Sequence, residues 1–140
     1  MRYKFDLKPR IKLYTEWVLE HYNENRAELN EQKKAMMPTL VPAYSGMPSS
    51  HDVSRQTEQI AIKMSTSAYI QNLELCVNAV ERMLSHCDET DIRLIQLVYW
   101  RRSHNVVGAG MSVGLSKTAA YKRINALLTA LAVEIGLVDI

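Results

Sequence analysis

Residues 113–131, VGLSKTAAYKRINALLTAL, constrain the fold more tightly than any other stretch of the chain. Gly114 suits the left-handed backbone conformation that ends one helix and reverses the chain, and Leu115 beside it can plug the angle between two helices. Ser116 fits an N-cap, its hydroxyl accepting from the free amides of the following turn. From there Ala120, Ile124, Leu127 or Leu128, and Leu131 recur at helical spacing. One face is therefore buried, while Lys117, Thr118, Tyr121, Lys122 and Asn125 stand on the others. This is the pattern of a turn and second helix in a helix-turn-helix, with donors and cations turned toward base edges and phosphates.

Charge is distributed in blocks. No Asp or Glu occurs between Ile92 and Val133, whereas Arg93, Arg101, Arg102, Lys117, Lys122 and Arg123 do. Between Leu13 and Asp91 the balance reverses, twelve acids against six bases, and the first twelve residues carry Arg2, Lys4, Lys8, Arg10 and Lys12 against Asp6 alone. A solvated helix face usually mixes signs. A C-terminal region without acids attracts a polyanion, beside a middle region that repels one, which points to double-stranded DNA as the partner.

At 140 residues and 47% hydrophobic the chain can bury one modest core. It has no apolar run long enough to span a bilayer and no signal-peptide core at its N-terminus, so the expected setting is cytoplasmic, away from a membrane. Cys76 and Cys87 match no zinc or redox spacing and read as small buried apolar groups. His21, His51, His86 and His104 are isolated, which argues against a metal site. Asp88 and Asp91 are better explained as helix-capping residues than as a catalytic pair. Ser112 and Ser116 have no histidine neighbour in sequence, and the expectation is no catalytic residue, no metal and no cofactor. GAGMSVG at 108–114 fails as a dinucleotide loop, because Val113 occupies the third glycine position and no strand precedes it.

The periodicity predicts an all-α chain. Pro9 opens a helix expected to run to about Met36, with Leu13, Trp17 and His21 on one stripe, Tyr14 and Val18 alongside, and a solvated acidic face of Glu16, Glu20, Glu24, Glu28 and Glu31. Residues 38–55, with Pro38, Pro42, Pro48, Gly46 and four serines, read as a loop. The helical pattern returns over 56–86 with Ile60, Met64, Ala68, Leu73, Val77, Val80 and Leu84 as its core stripe. Asp88 caps the next helix, with Asp91 in the capping-box position and Ile92, Ile95, Val98 and Tyr99 buried behind it. Three helices follow from this: 88–102, about 104–112, and 116–133. The organisation is then a helical region at 1–87 and a helix-turn-helix module at 88–140. Gly108 and Gly110 weaken the first helix of the motif, so that helix is expected to be short or closely packed. Trp17, Tyr69 and Trp100 read as packing residues, Trp100 being the least decided because it adjoins Arg101 and Arg102.

The Asp-capped helix ending in YWRR at 99–102, followed by GLSKTAAYKRI at 114–124, is similar to the C-terminal promoter-recognition helix-turn-helix of sigma factors. With LVPAYSGMP at 40–48, SRQTEQ at 54–59 and ALAVEIG at 130–136, the chain further resembles phage transcriptional activators of the RinA and ArpU type. The resemblance implies activation of phage late or packaging genes by binding promoter-region DNA, together with host RNA polymerase, in the bacterial cytoplasm. Ser116, Lys117, Thr118, Tyr121, Lys122 and Asn125 are the expected groove-side residues, Arg101, Arg102 and Arg123 the expected phosphate contacts, and Arg123 has the alternative of bracing the helix pair. A small terminase subunit for DNA packaging and a polymerase-binding adaptor that does not read DNA are the competing readings; homo-oligomerisation is compatible with each.

Overall fold

The computed structural model describes residues 7–36, 58–59, 62 and 67–139, whose regular elements are all helices, with no strand among them. The all-α expectation is borne out. The order is α1 (Pro9–Glu20), α2 (Tyr22–Met36), α3 (Ala68–Ser85), α4 (Glu89–Ile95) running into a π-helical turn (Gln96–Trp100), α5 (Val106–Ser112) and α6 (Lys117–Ile135). The proline-bearing loop at 38–55, and Ile60 and Met64 of the predicted stripe, lie outside the described residues.

Pro9 sits in the first turn of α1, where its missing amide costs nothing. The single helix expected from Pro9 to Met36 is instead broken at His21, whose backbone leaves the helical region (φ −96°, ψ 11°). The break has a visible partner: the indole Nε1–H of Trp100 donates to the Leu19 carbonyl at 3.0 Å, and Tyr22 stacks on Trp100 with ring centroids 5.8 Å apart. Trp100 is thus a packing residue, sealing the α1–α2 junction.

The buried face of α1 also differs from the expected stripe. Thr15, Val18 and Leu19 are buried, whereas Leu13 is 70% exposed and Trp17 47% exposed. Thr15 tolerates burial because its hydroxyl donates to the Ile11 carbonyl at 2.7 Å, leaving no orphan polar group. Leu13, Tyr14 and Trp17 face outward. The acidic face is likewise not simply solvated: Glu16 accepts from the Tyr99 hydroxyl at 3.1 Å, Glu20 pairs with Arg102 at 3.4 Å, and Glu28 accepts from Gln32 and Tyr69.

α3 begins at Ala68 behind an N-cap, Ser67, so the helix predicted over 56–86 is interrupted there. Its core residues include Ile70, Leu73, Cys76, Val77, Ala79, Val80 and Met83, while Ala68 is exposed and Leu84 only partly buried. Cys76 is buried as expected. Cys87 is partly buried, with its thiol donating to the Met83 carbonyl at 3.3 Å. α6 then runs alongside α3 and α1, so that Val18, Leu19, Ile70, Val80, Leu94, Ile124, Leu128 and Leu131 belong to one continuous cluster. Lys33–Glu74 (3.3 Å) and Arg82–Glu134 (2.7 Å) tie α2 to α3 and α3 to α6 at the surface.

Candidate nucleic-acid interface

The capping box is present as read from sequence. The Asp88 carboxylate accepts from the Asp91 amide at 2.8 Å, and the Asp91 carboxylate from the Asp88 amide at 3.4 Å. The helix begun there widens near its end, where the Arg101 amide bonds to the Gln96 carbonyl five residues back at 2.7 Å. Leu94, Ile95, Leu97 and Tyr99 are buried, while Val98, within the widened turn, and Ile92, before it, were expected inside and are only partly so. Arg102 stops the helix in the left-handed region (φ 54°), unusual for a residue with a Cβ, and the Ser103 amide returns to the Leu97 carbonyl at 3.1 Å.

α5 is short, as its two glycines suggested. Asn105 caps it, its side-chain oxygen accepting from the Gly108 amide at 2.7 Å. Gly110 faces α6 so closely that a Cβ built there would lie 2.5 Å from the Ala120 Cβ. The turn follows the paired-bond pattern of a glycine-terminated helix: the Leu115 amide bonds to the Gly110 carbonyl at 2.7 Å and the Gly114 amide to the Met111 carbonyl at 3.2 Å, with Gly114 at φ +81°. Leu115 packs against the core at the inner side of this bend. The Ser116 hydroxyl accepts from the Ala119 amide at 3.2 Å and starts α6.

The two halves of α6 treat one face of the helix differently. Tyr121, Asn125, Leu128 and Ala132 follow one another at four, three and four residues, a single helical stripe. Leu128 and Ala132 are buried, whereas Tyr121 and Asn125 are exposed, as are Lys117, Thr118 and Lys122 beside them. The first turns of α6 thus bury Ala120 and Ile124 on one side and present on the other an exposed face bearing two lysines, a threonine, a tyrosine and an asparagine. A helix end of this kind can enter a groove about 12 Å wide.

Of the predicted phosphate contacts, the structure separates one from two. Arg101 is exposed and makes no ion pair among the described residues. Arg102 is paired with Glu20 of α1. The Arg123 guanidinium reaches the Asp88 carboxylate at 3.0 Å and the Asp91 carboxylate at 2.9 Å. These contacts fit the bracing alternative for Arg123, holding the start of α4 against α6. The Asp91 amide and Arg123 together keep the Asp88 carboxyl below its ordinary range, and burial followed by the charges of Asp91 and Asp88 pushes the Cys87 thiol up to about 11. The carboxylates, tied into caps and pairs, form no cluster able to hold a metal ion among the described residues. No described helix is long and apolar enough to cross a membrane.

Sequence reasoning missed the contacts that hold these helices on α1: Tyr99 to Glu16, Trp100 to Leu19 and Arg102 to Glu20. The only hint was the adjacency of an aromatic-basic run and, some eighty residues earlier, a helix with a carboxylate every fourth residue. Comparison with family models, with curated proteins and with solved structures finds no match to this chain.

Proposed function

We propose that this chain is a phage-type transcriptional activator that binds promoter-region double-stranded DNA through α5 and α6 and acts with host RNA polymerase on late or packaging genes. The observation that supports it best is the exposed face of the first turns of α6, presented behind a glycine turn and a serine cap. In this reading Lys117, Thr118, Tyr121, Lys122 and Asn125 lie at the groove. Arg101 supplies a backbone contact. Phosphate contacts give most of the affinity and orient the module, and the few groove-side residues read sequence. The resemblance of 99–102 and 114–124 to sigma-like promoter recognition and to the RinA and ArpU type of activator gives the biological setting.

Footprinting on phage genomic DNA, followed by titration of the protected site and a scrambled duplex at several salt concentrations, tests the proposal. A protected site upstream of a late or packaging gene is the expected result. Polymerase binding without any salt-sensitive DNA binding would favour an adaptor instead, and assembly into a large ring would favour a packaging subunit.

A further inference from the structure

A cleft of about 440 Å³ opens between α1, α2 and α3, lined by Tyr14, Trp17, Asn25, Glu28, Tyr69, Asn72, Leu73 and Cys76. None of these residues belongs to α4–α6. On the α1 side Trp17 stacks on Tyr14, with centroids 6.2 Å apart and planes 15° from parallel, and on His21, with centroids 4.7 Å apart, so a guest meets the exposed remainder of the indole, and Tyr69 faces it from α3. All three rings are substantially exposed, at 47%, 43% and 53%. Tyr69 donates to Glu28 Oε1 at 2.9 Å, and Gln32 donates to the same oxygen at 2.9 Å, so both bonds fall on one carboxylate oxygen, and among the described residues none is made to Oε2. Among the lining residues Glu28 alone is charged.

We propose that this cleft receives an arginine side chain from a partner polypeptide. Aromatic faces attract a cation through their negative quadrupole, and a planar guanidinium can stack on a ring while forking toward a carboxylate, which an ammonium cannot do. The Gln32 and Tyr69 hydrogen bonds favour the charged form of Glu28, and the side-chain amides of Asn25 and Asn72 offer acceptors for remaining guanidinium N–H groups. A phosphate or other anion would meet Glu28 with nothing lining the cleft to offset it. This inference goes beyond the DNA reading and does not depend on it.

The test is heteronuclear NMR of the full chain titrated with a blocked Gly-Gly-Arg-Gly-Gly peptide and with its lysine and glutamine counterparts. The protein has two tryptophans, so the two indole N–H resonances serve as probe and internal control. The Trp17 resonance should shift saturably with the arginine peptide, less with lysine and not with glutamine, while that of Trp100 stays in place. Glu28→Gln should weaken the interaction by about tenfold, the scale of a hydrogen bond to a charged group, and Trp17→Leu should abolish it, with the helical circular-dichroism spectrum and DNA titrations of both variants unchanged. A missing response, an equal response to the glutamine peptide or to uridine, or a dimer in sedimentation that Trp17→Leu dissolves would overturn the proposal.

Discussion

Gly110 and Ala120 meet where α5 crosses α6, and there is no room between them for another methyl group: a Cβ at position 110 would sit 2.5 Å from that of Ala120, which is itself fully buried. In an open helix Gly→Ala gains about 1 kcal/mol from propensity. Overpacking at a close crossing costs about 1 to 3 kcal/mol. Carbon atoms pack at about 3.5 to 4.0 Å, so the clash outweighs the propensity gain, and Gly110→Ala should lower stability in urea denaturation. Ala120→Gly restores the space at its own helix cost, so the double variant should lose less than the sum of the singles. Simple additivity would show that the helices do not cross at these two residues.

Gly114 poses a different constraint. Nothing lies within 4 Å of a Cβ added there, so substitution is opposed only by the backbone, at φ +81°. Alanine should cost about 1 to 2 kcal/mol, asparagine less, and valine more, since only short polar side chains visit the left-handed region readily. Thermal melts should therefore rank Gly, Asn, Ala, Val from most to least stable. An unchanged melting temperature for Gly114→Val would remove this residue from the turn.

Two groups at the start of α4 set opposite pH limits. The Asp88 carboxyl lies below its ordinary value of 3.8, chiefly through the Asp91 amide and then Arg123. Its contribution to stability is therefore present above 3.8 and is lost as pH falls through the lower folded value. Asp88→Asn keeps a cap but should flatten the acid side of the stability profile. The Cys87 thiol, raised from 9.0 to about 11 by burial and then by Asp91 and Asp88, favours the folded state below 9.0 and loses that contribution as pH climbs toward 11. Cys87→Ala should remove this alkaline loss, and at pH 8 the native thiol should react more slowly with a disulfide reagent than a free cysteine does. Chemical denaturation across pH 2 to 10 and thiol kinetics check both.

The succession of α4, α5, the glycine turn and α6 was legible because its determinants are local. A left-handed glycine, a serine cap, a capping box and a helical apolar period each depend on residues within a few positions of one another. The face of α1 was not legible. Leu13 and Trp17 are large apolar side chains left exposed while Thr15 is buried beside Val18 and Leu19, because a hydroxyl bonded to its own helix can be covered without penalty and the choice of face is made by distant helices. The break at His21 was hidden for the same reason: the donor that occupies the Leu19 carbonyl is Trp100, eighty-one residues away. Arg102 and Arg123 belonged by charge with Arg101 and Lys117, and only the fold brought Glu20, Asp88 and Asp91 within reach of them.

Salt-dependent binding of duplex DNA is the most direct measurement of the central claim. Fluorescence anisotropy titrations between 50 and 200 mM salt, on a footprinted site and on a scrambled duplex, give a log-log slope and a specificity ratio for each variant. Arg101→Ala should weaken both duplexes alike and flatten the slope by roughly one unit. Arg102→Ala and Arg123→Ala should change the slope less, since carboxylates already hold those side chains. Lys117→Ala and Tyr121→Ala should cost about 1 to 3 kcal/mol on the footprinted site and much less on the scrambled one, lowering the specificity ratio. A wild-type protein that binds neither duplex in a salt-sensitive way, or binds both undiminished when Arg101, Lys117 and Tyr121 are all replaced, would contradict the assignment of α6 as the DNA-reading helix.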